Sequence, residues 1–485
     1  MRSETSLPDI EVDRRSHVPL PQQLARSLID AIRSGRLAAG ALLPGTRPFA
    51  EQLKLHRNTV VAAFDELREQ GWLETSRASH TRVTRTLPTS EVHVHLEHAT
   101  RKATPGFLLR PFHNSARSFE AVGREVLDFT GGLPDARLFP SALLARAYRR
   151  ALKLGSGRAL AFGSPAGSLK LREQLARSLA SRRGVHATTD ELLITRGSQL
   201  ALHLLSIALL RPGDVVAVES PGYPSAREAF TLLGARLLPI RVDSEGLDVD
   251  ALERALKGTA IRALYVTPHC HDPTTVTLSA TRRLRLLELA RRHRFAVIEA
   301  DYDHEFQFDG ASVLPMASAD PYGVTVLVGT LSKAVAPGLR MGFVAAPKTL
   351  LDTLLAIRGQ VDRQGDLGLE NAVAELMEDG EVLRHALRAR REFQARRDVL
   401  VHALRAQLGD TLEFDVPRGG LALWAKVHDV DVEAWARNAR ERGARFFTGR
   451  QYMPSGKAIP FVRLGFGHLD EKELQEAVKR IARAR

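Results

Sequence analysis

The chain has 485 residues, of which 44% are hydrophobic and 26% are charged, and its formal net charge at pH 7 is +13. This length exceeds that of one ordinary domain, so we expect two or three domains. The single cysteine, Cys270, excludes an intrachain disulfide framework. No apolar run has the length of a signal peptide or a membrane span, so we expect a cytoplasmic protein.

The positive net charge suggests nucleic-acid binding, but much of the arginine lies in two helix-like runs, at residues 281–294 and 384–397. We interpret these runs as solvated helix faces rather than as tracks for phosphate groups. DNA binding therefore needs a more specific signal than charge.

The first module follows a short tail of residues 1–16 and extends over residues 17–85. Leu24, Leu28 and Ile32 have the spacing of a helix with one buried face. After this predicted helix, the sequence indicates two further helices joined by a tight turn.

The pair of predicted helices has the pattern of a helix-turn-helix. The first helix is predicted over residues 48–54, the turn over residues 54–56, and the second helix from Asn58 onward. Residues 71–83 then alternate like a two-stranded wing.

Arg57, Asn58 and Thr59 stand at the start of the second helix, where side chains reach base edges and where Arg and Asn make specific paired hydrogen bonds. The whole module resembles the winged helix of the GntR superfamily, and this resemblance implies that Arg47 and the HRNTV segment face an operator of double-stranded DNA. His56 departs from the family's usual serine, and the wing turn from Ser76 to Thr81 lacks its glycine. The alternative is a helical bundle without a role in DNA binding.

Residues 86–125 read as a linker, and residues 126–485 alternate short apolar strands with amphipathic helices. This alternation predicts an α/β domain with a mainly parallel sheet. The predicted strands are 192–195, 215–219, 263–268, 295–301, 324–329 and 341–347, and the clearest helices are 198–210 and 280–293.

Lys333 lies just beyond a predicted strand, in the segment VGTLSKAVAPGLRMGF. A lysine amine there can form a Schiff base with an aldehyde cofactor, while Ser332 and Arg340 hold its phosphate. The alternative is an exposed lysine that merely follows a strand.

Three further segments fit the same chemistry. Gly197, Ser198 and Gln199 lie between a strand and a helix N-terminus, which is a phosphate-binding arrangement. Tyr223 lies in a rigid turn where its ring can stack on a pyridine, and Arg463 is a candidate clamp for the carboxylate of a substrate or effector. The alternatives are a tyrosine in an ordinary loop and a surface arginine on a strand.

Together with DFTGGLPDARLFP, FGSPAGSLKLREQLA, ESPGYP, YDHEF and GTLSK, these segments resemble fold-type-I pyridoxal 5'-phosphate (PLP) enzymes. With the first module, the chain resembles the MocR/GabR-type subfamily of GntR regulators over about residues 17–482. The resemblance implies a homodimer, a smaller C-terminal α+β subdomain, PLP bound to Lys333, and Tyr302 beside the cofactor. It also implies that an amino compound or PLP itself is the effector.

Three positions depart from the pattern of a working aminotransferase. We place Ala300 at the pyridine nitrogen, where relatives carry a carboxylate, although a register shift of one residue would put Asp301 there instead. Asp272 replaces an asparagine that bonds the phenolic oxygen, and Phe162 replaces a tyrosine that reaches the phosphate across the dimer. Cys270 and His271 are adjacent but lack further ligands, so we predict no metal site.

Three hypotheses follow. The first is a DNA-binding regulator that carries PLP and senses an amine or PLP. The second is a working aminotransferase with an inherited DNA-binding domain, against which the three departures argue. The third is a regulator that uses the aminotransferase fold only as a scaffold, without a cofactor.

Overall fold

A computed structural model of the chain describes residues 18–75, 81–87, 125–153, 157–309 and 313–485, together with residues 10, 12–14, 16 and 108. The chain forms two compact units, Met1–His113 and Asn114–Arg485. Most of the predicted linker and of the predicted tail, and residues 76–80 of the wing turn, lie outside the described residues.

The N-terminal unit contains three helices and a two-stranded ribbon. Leu24, Leu28 and Ile32 are buried on the first helix, as their spacing predicts. The elements are α1 (Leu20–Arg33), α2 (Thr46–Gln52), α3 (Arg57–Glu69), β1 (Leu73–Thr75) and β2 (Thr81–Val83).

The helix-turn-helix and the wing are both present, with small shifts in their limits. Helix α2 begins two residues earlier than predicted, and α3 begins at Arg57. The Nδ1 atom of His56 accepts the backbone N–H of Asn58 at 3.3 Å, so this histidine caps α3 as a serine would. Strands β1 and β2 pair antiparallel, with Leu73 opposite Val83.

The C-terminal unit alternates strands and helices over most of its length. Its first half contains β3 (Leu127–Asp128), α4 (Ser141–Lys153), α5 (Leu169–Arg183), β4 (Leu192–Thr195), α6 (Gly197–Leu209), β5 (Val215–Ser220), α7 (Pro224–Leu232), β6 (Arg236–Asp243), β7 (Gly246–Leu247), α8 (Val249–Leu256), β8 (Ala263–Val266), α9 (Ala280–His293) and β9 (Ala296–Asp301). Its second half contains β10 (Thr325–Thr330), β11 (Gly342–Ala345), α10 (Lys348–Val361), α11 (Leu367–Glu378), α12 (Glu381–Leu408), β12 (Leu412–Glu413), β13 (Ala422–Val427), α13 (Val432–Glu441), β14 (Ala444–Arg445), β15 (Phe447–Thr448), β16 (Phe461–Gly465) and α14 (Glu471–Arg483).

The large sheet has the strand order β4-β11-β10-β9-β8-β5-β6-β7. Pairing is parallel from β10 through β9, β8 and β5 to β6. Strand β11 is antiparallel to both β4 and β10. Strand β7 is antiparallel to β6. The predicted mainly parallel sheet is therefore confirmed.

Apolar side chains of the sheet alternate between two covered faces. On β9, Ile298 and Ala300 pack in the core that includes α6, α7 and α10, while Val297 packs in the core that includes α8 and α9. Near the β4 edge, Leu192 and Ile194 pack with α4, α5 and α11. Both faces of the sheet are buried, which explains the nearly continuous apolar sequence of its strands.

The smaller subdomain is built on a second sheet, with the strand order β12-β13-β16-β15 and antiparallel pairing throughout. Helices α12, α13 and α14 cover it, and Trp435 and Phe466 are fully buried in the shared core. This confirms the predicted C-terminal α+β subdomain.

The interpretation of the two arginine-rich helices as solvated faces is only partly right. Arg283 on α9 is 8% exposed and donates to the carbonyls of Leu278, Leu314 and Pro268. Arg396 on α12 is also buried, and its Nη2 lies 3.0 Å from Asp135 Oδ2. These guanidinium groups tie distant segments together, which composition alone does not reveal.

Within the part of the chain that the structure describes, no helix is both long and apolar enough to span a bilayer.

Candidate functional site

The predicted cofactor residues follow strands that end at one edge of the large sheet. Gly342 on β11 pairs with Thr195 on β4 and with Thr330 on β10, so the carboxyl ends of β4 and β10 lie together. Strands β9, β8 and β5 run parallel to β10 and end on the same side. Ligands of open α/β sheets bind at this edge, because loops and helix N-termini meet there.

The start of α6 and Arg340 form a cradle with the character of an anion site. Gly197 has φ +75°, and a Cβ atom placed on it would lie 3.2 Å from Nη2 of Arg340. Gly342 allows an equally close approach, since its Cβ would lie 2.9 Å from the backbone N of Ser198. Backbone N–H groups at a helix N-terminus together with a guanidinium group suit a phosphate.

Lys333 is in the same segment of the chain as Arg340, and its amine is surrounded by buried polar groups. Its Nζ is 2.7 Å from Oδ1 of Asp303 and 4.3 Å from the centre of the Tyr302 ring. Burial raises the pKa of the Asp303 carboxyl, and the neighbouring Lys333 and Arg463 offset this only in part. The Tyr302 hydroxyl donates a hydrogen bond to the carbonyl of Cys270.

Asp272 and Arg463 form a second charged pair in the same group of residues. Nη2 of Arg463 lies 3.6 Å from Oδ2 of Asp272, and both side chains are largely buried. Burial alone would lower the pKa of Arg463, but Asp272, with smaller contributions from Tyr302 and Asp303, raises it. Arg463 is therefore not a surface arginine.

The loop that carries Asp272 is anchored to β5. Oε2 of Glu219 accepts hydrogen bonds from the backbone N–H and the hydroxyl of Thr267, at 3.0 and 2.8 Å, and Nε2 of His271 lies 3.4 Å from the same oxygen. His271 Nδ1 is 2.7 Å from Thr274 Oγ1, so the two ring nitrogens of this histidine face its own loop and β5.

Two tyrosine rings pack together, and one of them, Tyr265, lies near Glu219 and Asp272. Tyr223 stacks against Tyr265 with ring centres 6.5 Å apart and an interplanar angle of 25°. Burial raises the pKa of the Tyr265 hydroxyl, and Tyr223, Glu219 and Asp272 raise it further. Gln199 lies beside these rings, since its Nε2 donates to the carbonyl of Ser225 at 3.3 Å.

The alternation of side chains along β9 bears on which residue, Ala300 or Asp301, would lie at a pyridine nitrogen. Ala300 faces the core of α6 and α7, whereas Asp301 points to the opposite face and pairs with Arg183 at 2.7 Å. Arg183 also holds Glu305 at 2.6 Å. With this alternation, Asp301 is committed to a buried ion pair away from the α6 face.

Two other predicted residues have different surroundings. The backbone N–H of Ser332 donates to Thr330 Oγ1 at 3.0 Å, and its side chain is half-buried. Phe162 is 78% exposed, with the Arg363 guanidinium 4.2 Å from its ring centre.

The sequence reasoning missed Asp303 and Tyr265 as members of this group. Asp303 lies in the YDHEF segment, two residues beyond the end of β9, and its closeness to Lys333 depends on the loop conformation. Tyr265 lies in strand β8, where an aromatic residue is normally interpreted as part of the hydrophobic core. The acidic residue in an otherwise buried segment is the signal that could have identified Asp303.

In the N-terminal unit, the residues predicted to face DNA lie at the start of two helices. Arg47 on α2 and Arg57 and Asn58 on α3 are exposed, and Thr59 is half-buried. Nε of Arg57 lies 3.5 Å from Oγ1 of Thr46, so the two helices present their first turns together. This arrangement fits a recognition helix that enters a DNA groove with its N-terminal end.

Comparison with known families agrees with both units. Residues 20–83 match the family "Bacterial regulatory proteins, gntR family", and residues 125–481 match "Aminotransferase class I and II". The protein is thus a GntR-type DNA-binding regulator fused to an aminotransferase-like domain. It belongs to the MocR/GabR-type subfamily of GntR regulators.

Individual relatives support this assignment. The chain is 30% identical to the probable rhizopine catabolism regulatory protein MocR of Rhizobium meliloti, over 98% of this chain and 95% of that one. It is 28% identical to the HTH-type transcriptional regulator YisV of Bacillus subtilis, over 97% and 96% of the two chains. The crystal structure of LysN, an α-aminoadipate aminotransferase from Thermus thermophilus complexed with N-(5'-phosphopyridoxyl)-L-leucine, matches with a TM-score of 0.70 and 31% identity, covering 74% of this chain and 92% of that one.

Proposed function

We propose that this regulator carries PLP on Lys333, senses an amino compound at that site, and binds operator DNA through Arg47 and the Arg57–Thr59 segment. The observation that supports it best is that Lys333 and the cradle of Gly197 and Arg340 follow strands that end at the same edge of the sheet. A phosphate site and a reactive amine at one sheet edge match the two ends of PLP.

The side chains of the chain have separate roles in this proposal. Arg340 and the first N–H groups of α6, at Ser198 and Gln199, hold the phosphate together with the hydroxyl of Ser332. Tyr223 provides an aromatic face for the ring. When bound, PLP supplies an aldehyde that reacts with primary amines and a ring that withdraws electrons.

Asp303 and Tyr302 control the amine end of the site. Asp303 keeps the Lys333 ammonium in place through the 2.7 Å ion pair and is the nearest carboxylate to take up a proton from that amine. Tyr302 covers one side of Lys333 Nζ, which limits the access of water to it.

The residues expected beside the pyridine nitrogen favour sensing of a ligand over its catalytic turnover. Ala300 offers no carboxylate to keep a pyridine nitrogen protonated, and Asp301 is held by Arg183 on the opposite face of β9. Without that charge a PLP ring is a weaker electron sink. A regulator needs its ligand to bind and to change the protein, so slow chemistry is compatible with this function.

We further propose that the regulator acts as a homodimer. Leu160 and Phe162, two positions apart in the chain, are each 78% exposed, and contact with a second copy would remove these neighbouring apolar side chains from water. A two-fold axis would also present two recognition helices to two half-sites of an operator.

The DNA-binding part is tested by Arg57→Ala. If Arg57 contacts a base edge, the variant loses about 1–3 kcal/mol of operator affinity, and it loses much less affinity for random DNA. Fluorescence anisotropy measures both, with an operator obtained by in vitro selection on the wild-type protein.

Arg68→Ala is the matched control, because Arg68 lies at the far end of the same helix and pairs with Asp65 on the surface. It should bind both duplexes like the wild type. An equal loss of affinity for the two duplexes in Arg57→Ala would make Arg57 a phosphate contact, and unchanged affinity would remove it from the interface.

A further inference from the structure

The proposed effector site contains two buried carboxylates. Asp303 pairs with Lys333 at 2.7 Å, and Asp272 lies 3.6 Å from Arg463. The exposed fractions of these four side chains are between 3% and 12%. Their charges balance while Lys333 carries its own ammonium charge.

Arg463 is the residue expected to clamp a ligand carboxylate, and Asp272 already occupies its neighbourhood. A ligand carboxylate that approached Arg463 would come close to a second negative charge in a buried site, where like charges repel strongly. Oδ1 of Asp272 and Nε of Arg463 are buried and have no hydrogen-bond partner among the described residues. The hydrogen-bonding capacity of the pair is therefore not used up, and Asp272 can still accept hydrogen bonds from a ligand.

Occupation of Lys333 by a cofactor changes the balance of charge. The free ammonium of Lys333 is then not available to Asp303, and it returns only when a ligand amine takes the place of Lys333 on the cofactor and gives up a proton to the released lysine amine. Both carboxylates raise the pKa of Arg463, and Asp272 also disfavours ionisation of Asp303. In neither state do these four side chains carry a surplus positive charge, so the site loses from a ligand that brings another anion.

We infer that Asp272 makes this site selective for primary amines that carry no carboxylate, in preference to amino acids. The inference rests on the proposed PLP-dependent sensing at Lys333 and names the ligand class of that site. Asp272 acts here as a specificity-determining residue, because it competes with a ligand carboxylate for the guanidinium of Arg463.

Three probes of equal chain length test this selectivity. 1,4-Diaminobutane, n-butylamine and 4-aminobutyrate share a primary amine and differ only at the far end of the molecule. Their half-saturating concentrations are read from the change in the visible absorption band of the PLP-loaded protein, and isothermal titration calorimetry gives a second measurement of the same affinities.

In the wild type, 1,4-diaminobutane and n-butylamine should each bind at least about tenfold more tightly than 4-aminobutyrate, which corresponds to a difference of about 1.4 kcal/mol. Asp272→Asn keeps the size of the side chain, frees Arg463 and should shift the ratio at least about tenfold toward 4-aminobutyrate. Asp352→Asn, which removes an exposed carboxylate on α10, should keep the wild-type ratio.

The outcomes separate this inference from the function on which it rests. A wild-type protein without a visible PLP band would overturn the proposed function, and the inference with it. A band with equal or better binding of 4-aminobutyrate in the wild type would overturn the inference alone, as would an Asp272→Asn ratio equal to that of the wild type. Should Asp272→Asn fail to fold, the wild-type ratio still decides.

Discussion

Thr275 lies three residues after Asp272 and has a backbone conformation that its side chain disfavours. Its φ is +65°, and its N–H donates to the carbonyl of His271 at 2.7 Å. The left-handed region costs an L-residue about 1–2 kcal/mol, whereas glycine adopts it without that penalty. The loop next to the proposed effector site therefore contains local strain.

Replacement of Thr275 by glycine should stabilise the C-terminal unit. Relief of the strain exceeds the greater unfolded-state freedom of glycine, which costs about 0.5–1 kcal/mol, so we expect a net gain of about 0.5–1 kcal/mol. The midpoint of urea unfolding measures it, provided that the slope of the transition does not change.

Thr353→Gly is the contrasting control, because Thr353 is exposed within the regular helix α10. Glycine there should destabilise the unit slightly, by roughly 0.3 kcal/mol, because threonine is already a poor helix former. Destabilisation by both substitutions would show that Thr275 is not strained in solution.

Single residues differ in how far the sequence predicts their surroundings. Lys333 could be singled out from the sequence because a lysine shortly after a buried strand, with Ser332 and Arg340 nearby, is typical of a cofactor-binding lysine, and its role stays a prediction. The pairing of Asp303 with Lys333 and of Asp272 with Arg463 was not predictable, since it depends on how two loops after different strands turn toward each other.

At the scale of elements, the apolar pattern predicted the large sheet closely. Strands β4, β5 and β9 agree with their predicted limits to within one residue, since each is an apolar run that ends at a polar or turn-forming segment. Two-residue strands such as β12 and β15 were not predicted, because a pattern needs several residues to repeat. On α12, the burial of Arg396 depends on Asp135, which is 261 residues away in the chain.

Helix α12 also contains a buried histidine that couples the stability of the unit to pH. His385 is 5% exposed and packs edge-on against Phe139. Burial, with a smaller contribution from Arg388, lowers the pKa of His385 from 6.5 to about 4. The unfolded chain therefore binds this proton at higher pH than the folded one does, so the stability contribution is complete above pH 6.5 and is lost as the pH falls toward 4.

His385→Leu removes this proton-binding group and should flatten the acid side of the stability profile. Between pH 7 and 4.5, the wild type should lose about 1–2 kcal/mol more of its free energy of unfolding than the variant does. Urea unfolding at a series of pH values measures the difference. His402→Leu, at an exposed position on the same helix, should follow the wild-type profile, and parallel profiles for the wild type and His385→Leu would refute the assignment.

At the scale of the molecule, the chain joins a DNA-binding unit to a unit with the fold of PLP enzymes. Residues 20–83 and 125–481 each match one family. Under the proposed function, ligand binding at the sheet edge of the larger unit alters how the smaller unit binds DNA. By linkage, a ligand that changes the affinity of the protein for operator DNA by some factor binds the DNA-bound protein with an affinity that differs by the same factor from its affinity for the free protein.

The class of the molecule was readable from the sequence because both units have dense local patterns, a helix-turn-helix and an alternation of strands and helices. Its chemistry was readable only in part. The cradle of Gly197 and Arg340 follows from motifs, whereas the balance of two carboxylates against Lys333 and Arg463 required the folded chain.

The visible absorption spectrum of the purified protein, recorded after PLP addition and desalting, tests the central claim most directly. We predict a retained yellow band in the wild type that borohydride discharges and that Lys333→Ala lacks, as the proposed attachment of the cofactor to Lys333 requires. A wild type without a retained band, or a Lys333→Ala variant with an undiminished one, would contradict this account. Release of an oxo acid at enzymatic rates from an amino donor would instead identify the chain as a working aminotransferase.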